Sequence, residues 1–299
     1  MENVLKVEGL VKRYGDFALD GVSLRVPAGC VTGFIGGNGA GKTTTIKSVL
    51  GIVMPDGGSV ELFGEPVDAR RDAELARAKA RIGVVFDTCP FPSEVRVADV
   101  AKIGSGAYAT WDGLMFAQLA RDFGLDMKKQ VKSLSRGMGM KLQLAFALSH
   151  KPDLLILDEV TAGLDPIARG EVLDILRAFM CDEEVGARRG ILMSSHITSD
   201  LERIADFVVC IDAGREVFSC ETADITDAAG IAHVRSADCE RIAESSVFER
   251  GSLRVLRGDY ATTLLVPDRL ALKRAFPDIA CERATIDDYM MFMMKGEIR

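Results

Sequence analysis

One run of residues constrains this chain more than any other: Gly36-Gly37-Asn38-Gly39-Ala40-Gly41-Lys42-Thr43. It fits the pattern G-x-x-x-x-G-K-[ST]. An apolar run at residues 31–35 precedes it, and a segment of helical spacing at residues 43–50 follows, stopped by Gly51 with Pro55 shortly after. A strand, a glycine-rich turn and a helix in that order let backbone N–H groups converge on phosphate oxygens without side-chain obstruction. The start of the helix adds the positive end of its dipole. Lys42 is expected to reach the β- and γ-phosphates, and the Thr43 hydroxyl a Mg²⁺ ion. The loop implies a nucleoside triphosphate, but alone it names neither the base nor the purpose.

A loop of this kind needs a covered sheet behind it, and the chain has the material for one. Its 299 residues are 48% hydrophobic and 27% charged, enough for one large α/β domain with an appendage or for two ordinary domains. Residues 154–157 and 191–193 are apolar runs flanking a helical segment at 167–179, the pattern of a parallel sheet covered on both faces. Residues 208–211 read as a last strand of that sheet. Residues 4–7, 23–26 and 59–63 alternate with turn residues and read as strands and hairpins, whereas helical spacing dominates residues 97–149. Near residue 220 the texture shifts to short runs at 253–256 and 262–266, then a helix at 268–276, a small α+β unit by pattern.

Charge and cysteine usage narrow the partners. Lys and Arg number 37 against 44 Asp and Glu, a formal charge of −7 that offers no global field for a phosphate backbone, so nucleic acid is not an expected partner. No apolar stretch approaches the roughly 18 residues of a membrane span, and the first six residues, Met1-Glu2-Asn3-Val4-Leu5-Lys6, show no export signal. Seven scattered cysteines without a C-x-x-C pair fit reduced thiols in the cytosol. The run Met290-Met291-Phe292-Met293-Met294 reads as a helix packing against a neighbour rather than a copper or cofactor site, because four thioethers in so short a helix cannot all face one point.

Further motifs lie downstream of the loop. Leu154-Leu155-Ile156-Leu157-Asp158-Glu159 is an apolar strand ending in two carboxylates, at the carboxyl edge where parallel sheets bind ligands. Asp158 is expected to hold Mg²⁺ through water, and Glu159 to polarise an attacking water. Leu134-Ser135-Arg136-Gly137-Met138 precedes this strand; Ala162-Gly163-Leu164-Asp165 and Ser194-Ser195-His196 follow it.

This order of motifs, over residues 1 to about 220, resembles the ATP-binding subunits of ABC transporters. The resemblance implies an α/β P-loop ABC ATPase domain at residues 1–220, with a mixed sheet and antiparallel β and α-helical subdomains, followed by a small accessory α+β domain at 221–299. It implies ATP and Mg²⁺ as cofactors. Tyr14 is expected to stack on adenine, and Gly36, Gly37, Asn38, Gly39, Ala40, Gly41, Lys42, Thr43 and Thr44 to wrap the phosphates. Glu159 is the expected base. His196 is expected to contact the γ-phosphate and help hold the attacking water. Ser135 and Gly137 are expected to face the γ-phosphate held by a second subunit, with Asp165 at the same joint. Hydrolysis then requires a head-to-tail dimer, homomeric or with a related chain, that ATP closes and hydrolysis reopens.

Several positions depart from the family pattern. Arg136 and Met138 stand where it has glycine and glutamine, Asp87 replaces the glutamine of its glutamine loop, Val160 replaces a proline after the catalytic acid, and Gly37 replaces another. Asp87 is expected to reach Mg²⁺ through water. Because Lys42, Asp158, Glu159, Ser135, Gly137 and His196 are all in place, an active ATPase is expected. The Phe86-Asp87 pair, Trp111-Asp112, the Ser-Arg-Gly-Met run and the ending Thr285-Ile286-Asp287-Asp288-Tyr289-Met290 resemble a subgroup paired with ABC-2-type permeases, including bacitracin-type export systems. The expected setting is cytoplasmic, at the inner face of the membrane, with the helical stretch 97–134 docking a separate permease. Two alternatives stand beside it: a soluble ABC ATPase acting on nucleic acid or ribosomes, and a slow ATP-gated regulatory or resistance subunit.

Overall fold

The computed structural model describes residues 2–67, 72–182, 186–258 and 262–299. Their contacts divide them into two compact units, Met1–Ile197 with Ile211–Glu216, and Thr198–Cys210 with Val217–Arg299.

The first unit opens with two long antiparallel strands, β1 (Asn3–Arg13) and β2 (Ala18–Pro27), followed by β3 (Val31–Ile35) and the helix α1 (Lys42–Val49). Next come the strands β4 (Gly57–Leu62) and β5 (Glu65–Pro66), the helix α2 (Asp72–Lys79) and β6 (Ile82–Val85). β1, β2, β4 and β5 form an antiparallel sheet in the order β2-β1-β4-β5, in which Leu5, Val7, Leu24 and Val26 are buried.

Three helices follow, α3 (Val97–Ala107), α4 (Gly113–Asp122) and α5 (Arg136–Ser149). They close on a common apolar core that includes Val97, Val100, Phe116, Ala120 and Leu142. The chain then returns through β7 (Leu154–Asp158), α6 (Pro166–Met180) and β8 (Gly190–Ser195). β3, β8, β7 and β6 pair in parallel, in that order, and every residue of β3, β7 and β8 is buried, as a sheet covered on both faces demands. At Gly190 the two sheets touch: a Cβ there would lie 2.5 Å from a methyl carbon of Val4 and 2.8 Å from one of Val26.

After the helix α7 (Thr198–Ile204), β9 (Phe207–Asp212) and β10 (Arg215–Glu221) extend the second sheet to the order β10-β9-β3-β8-β7-β6. The runs at 154–157, 191–193 and 208–211 thus belong to one sheet, as the sequence implies. The second unit continues with β11 (Gly230–Val234), α8 (Ser236–Ala243), β12 (Arg254–Arg257), β13 (Thr262–Val266), α9 (Arg269–Ala275), β14 (Cys281–Arg283), α10 (Ile286–Lys295) and β15 (Glu297–Ile298). Its five-stranded sheet, β14-β11-β13-β12-β15, covers a core that includes Val234, Ile242, Val255, Leu264 and Leu272. The methionine run lies in α10, where Phe292 is fully buried and Met291 and Met294 are exposed.

One buried group makes the fold pH-sensitive. His150, which ends α5, is 1% exposed, its ring stacked on Tyr108 at 4.0 Å, and its Nδ1 has no hydrogen-bond partner among the described residues. Burial pushes the imidazole down from 6.5 to about 4. The folded ring stays neutral where the unfolded one gains a proton, so its contribution is complete above the unfolded value near 6.5 and is lost as the pH falls toward 4. We expect His150→Phe, which keeps a ring against Tyr108, to lose less stability than the parent between pH 6.5 and 4, by up to roughly 3 kcal/mol. Thermal melts across that range test this; parallel curves would refute it.

Candidate active site

Parallel register brings three strand ends together: Ile35 lies beside Ser195, and Ser194 beside Asp158. The segments leaving β3, β7 and β8 therefore open into one cavity of about 640 Å³, lined by Phe17, Gly37, Asn38, Gly39, Ala40, Gly41, Lys42, Thr43, Thr44, Asp87, Arg136, Glu159, Ala162 and His196.

The glycine-rich turn takes its shape from two close approaches. A Cβ at Gly36 would lie 2.3 Å from the Ile211 carbonyl oxygen, and one at Gly41 would lie 2.4 Å from a Leu19 methyl carbon, with φ at +113° besides. At Gly36 the obstacle is backbone, and at Gly41 the positive φ strains any residue with a side chain. α1 starts at once after Gly41, so its first N–H groups point into the turn without a side-chain cap. Lys42, only 6% exposed, folds back over the loop. Its ammonium donates to the Gly36 and Gly37 carbonyls at 2.8 and 3.3 Å and lies 3.3 Å from a Glu159 oxygen.

The two acids do different things. Asp158 is buried at the end of β7, where one carboxylate oxygen accepts from the Thr43 hydroxyl at 2.9 Å and the other from the Ser194 hydroxyl at 2.6 Å. Glu159, one residue on, has φ at +55°, a left-handed conformation uncommon for a side-chain-bearing residue. Its N–H holds that turn by donating to the carbonyl and hydroxyl of Ser194, at 3.1 and 3.2 Å. The turn aims the carboxylate between Lys42 and His196, whose Nδ1 lies 2.6 Å from it and whose backbone N–H donates to it at 3.3 Å. With Glu159 ionised, Nδ1 carries the proton and Nε2 is the ring's other polar atom.

Thr43 and Asp158 also answer whether Mg²⁺ fits. They present hard oxygen donors 2.9 Å apart, and no cluster of three or more acidic, histidine or cysteine ligands occurs among the described residues. Such a pair, short of a full ligand cage, suits an ion that keeps its waters and shares its bonds with substrate phosphates.

The structure separates the remaining expected residues into groups. Asp87 reaches the cavity, but its carboxylate pairs with Arg136, not with Thr43 or Asp158. Ser135 caps α5, accepting from the Met138 N–H at 3.3 Å, and neither it nor Gly137 lines the cavity. Asp165 caps α6 by accepting from the Ala168 and Ile167 N–H groups, both at 3.0 Å, which hold its carboxyl below the usual carboxylate range. Tyr14 is 47% exposed and lies outside the wall, in the turn that its N–H closes on the Phe17 carbonyl at 2.7 Å. Phe17 and Ser194 were not assigned from sequence. A lone aromatic in a turn carries no periodic signal, and Ser194 is marked only by standing two residues before His196.

The ABC transporter family model matches residues 19–162. The Nod factor export ATP-binding protein I of Ralstonia nicotianae is 35% identical over 224 residues, 72% of this chain and 66% of that protein. The bacitracin transport ATP-binding protein BcrA of Bacillus licheniformis is 34% identical over 218 residues, 72% of this chain and 69% of that one. The chain belongs to the ABC transporter ATP-binding family. A solved ATP-binding subunit of an ABC transporter superposes with a TM-score of 0.65 at 27% identity, over 74% of this chain and 91% of that one. The matches span about two thirds of the length of these two export-system relatives. As an ABC ATPase the chain binds and hydrolyses ATP.

Ser194 holds both acids, so Ser194→Ala is expected to lower kcat/KM for ATP about tenfold, the scale of losing a hydrogen bond to a charged group. The Mg²⁺ concentration at half-maximal rate should rise while ATP binding stays within about twofold. Steady-state hydrolysis during Mg²⁺ titration checks this, and an unchanged Mg²⁺ dependence would refute it.

Proposed function

We propose that the chain holds Mg·ATP in this cavity, hydrolyses it as one half of a head-to-tail dimer, and thereby drives a separate ABC-2-type permease from the inner face of the membrane. The observation that carries this reading is the meeting of Lys42, Glu159 and His196 beside the glycine-rich turn. In it, Gly36 through Thr44 wrap the phosphates, Lys42 neutralises them, and Tyr14 stacks on the adenine near the ring of Phe17. Thr43 and Asp158 hold the metal, which supplies charge neutralisation at the phosphates. Glu159 takes the proton of the attacking water. His196 keeps that carboxylate aimed and faces the terminal phosphate.

Ser135 and Gly137 support the dimer. They stand at the start of α5 but outside the cavity wall, at a helix end suited to an anion supplied from elsewhere. The export-system names of the relatives support a permease partner. So do the exposed apolar side chains of Ile103 and Leu114 on α3 and α4, in the stretch expected to dock it. No described helix is long and apolar enough to cross a membrane. The ATPase domain is assigned to residues 1–220 and the accessory domain to 221–299.

Lys42→Ala should weaken ATP binding and turnover together, because it removes the cation matched to the phosphates. Glu159→Gln should keep ATP binding, slow hydrolysis by roughly 10² or more, and accumulate as an ATP-bound dimer in sedimentation experiments. Parent-like hydrolysis by Glu159→Gln would remove Glu159 from the base role, and co-purification with no multi-spanning membrane protein would remove the permease.

A further inference from the structure

β6 ends where the cavity wall begins, and one side chain carries its bonding pattern a residue further. The last rung of its ladder pairs Val85 with Leu157. Phe86 follows, outside the strand. Gln143, 2% exposed in the middle of α5, serves both of its backbone groups: the amide accepts from the Phe86 N–H at 3.0 Å and donates to the Phe86 carbonyl at 3.1 Å. A primary amide offers an acceptor and a donor side by side, as the backbone of a neighbouring strand does.

The next residue, Asp87, lines the nucleotide cavity. Its carboxylate accepts from Arg136, the first residue of α5, and the Gly163 backbone lies close against that guanidinium. Arg136 and Gln143 stand about two turns apart and so share a face of the helix. The cavity wall is thus tied to α5 at two points, and the two are unequal. The ion pair is half-exposed, a setting in which such pairs hold weakly and yield to salt. The Gln143 tie is neutral and rests on a buried side chain, and losing it would leave both Phe86 groups without those partners.

We propose that Gln143 is a positioning residue for hydrolysis: through the Phe86 backbone it keeps the Asp87 wall of its own chain's cavity in step with α5, so that filling this cavity sets the helix tip offered to the second nucleotide. The amide makes a short link with little slack. An apolar side chain of similar volume would fill its place but leave wall and helix free to move separately. The inference rests on the head-to-tail dimer proposed above.

Steady-state hydrolysis by the full chain, followed against ATP concentration, reads the link as cooperativity. The parent should give a Hill coefficient above 1, toward the limit of about 2 set by two sites. Gln143→Leu should bring it to about 1 and lower kcat about tenfold, while mant-ATP binding, at concentrations where sedimentation velocity finds single copies, stays within about twofold of the parent. Gln143→Met, unbranched and as long as glutamine, should behave alike and replaces the leucine variant if thermal melts show that one unfolded. A merely structural role would lower the melting temperature and leave the Hill coefficient where it was. A parent-like Hill coefficient in a folded variant, or nucleotide binding that falls as far as the rate, overturns the inference. If the parent itself gives about 1 and Glu159→Gln stays as single copies in ATP, the dimer reading fails and takes this inference with it.

Discussion

The site exists because β3, β7 and β8 run parallel in a register that ends them together. Each strand delivers one ingredient: β3 the glycine-rich turn, β7 the two acids, β8 the serine that holds them and the histidine beyond it. Slipping β7 by one residue against β8 would part Asp158 from Ser194 and turn side chains to the opposite face. The continuous burial of these strands guards against that slip, because both faces are already filled. Apolar burial therefore fixes polar geometry, and no loop has to find the others on its own.

Much of this was written in the sequence. The runs at 31–35, 154–157 and 191–193 announced the parallel strands by their lack of polar interruption, and the glycine-rich turn and acid pair fell at their ends. Elements held by tertiary context were less visible. β11 begins Gly230-Ile231-Ala232, where Gly230 and Ala232 are small residues with little strand preference, and pairs with β13 and β14 on either side. Gln143 reads as a polar position on a helix face, yet it is 2% exposed, because its amide satisfies both backbone groups of Phe86, a partner distant in sequence. Tyr14 stands at the family's usual place for the adenine aromatic, and Phe17, in the cavity wall, is a second aromatic in the same turn.

The positions that break the family pattern are also the ones pattern-reading interprets least well. Arg136 and Asp87 lie 49 positions apart and each alone looks like a defect. Together they form an ion pair, and Gly163 supplies the room for it. A motif records which residue types recur at a place, but carries no information on which departures compensate one another; that requires knowing which side chains touch.

Gly190 shows how far the demands of the cavity extend. Side chains of Val4 and Val26 rest against its backbone, four residues before Ser194 on the same strand. Even a single methyl group added there would force a shift beside the strand that carries the serine and leads to the histidine. A genetic screen for failed ATP hydrolysis would score such a lesion alongside changes in the glycine-rich turn, although it lies outside the cavity wall. The mutational footprint of this ATPase is thus wider than its binding wall.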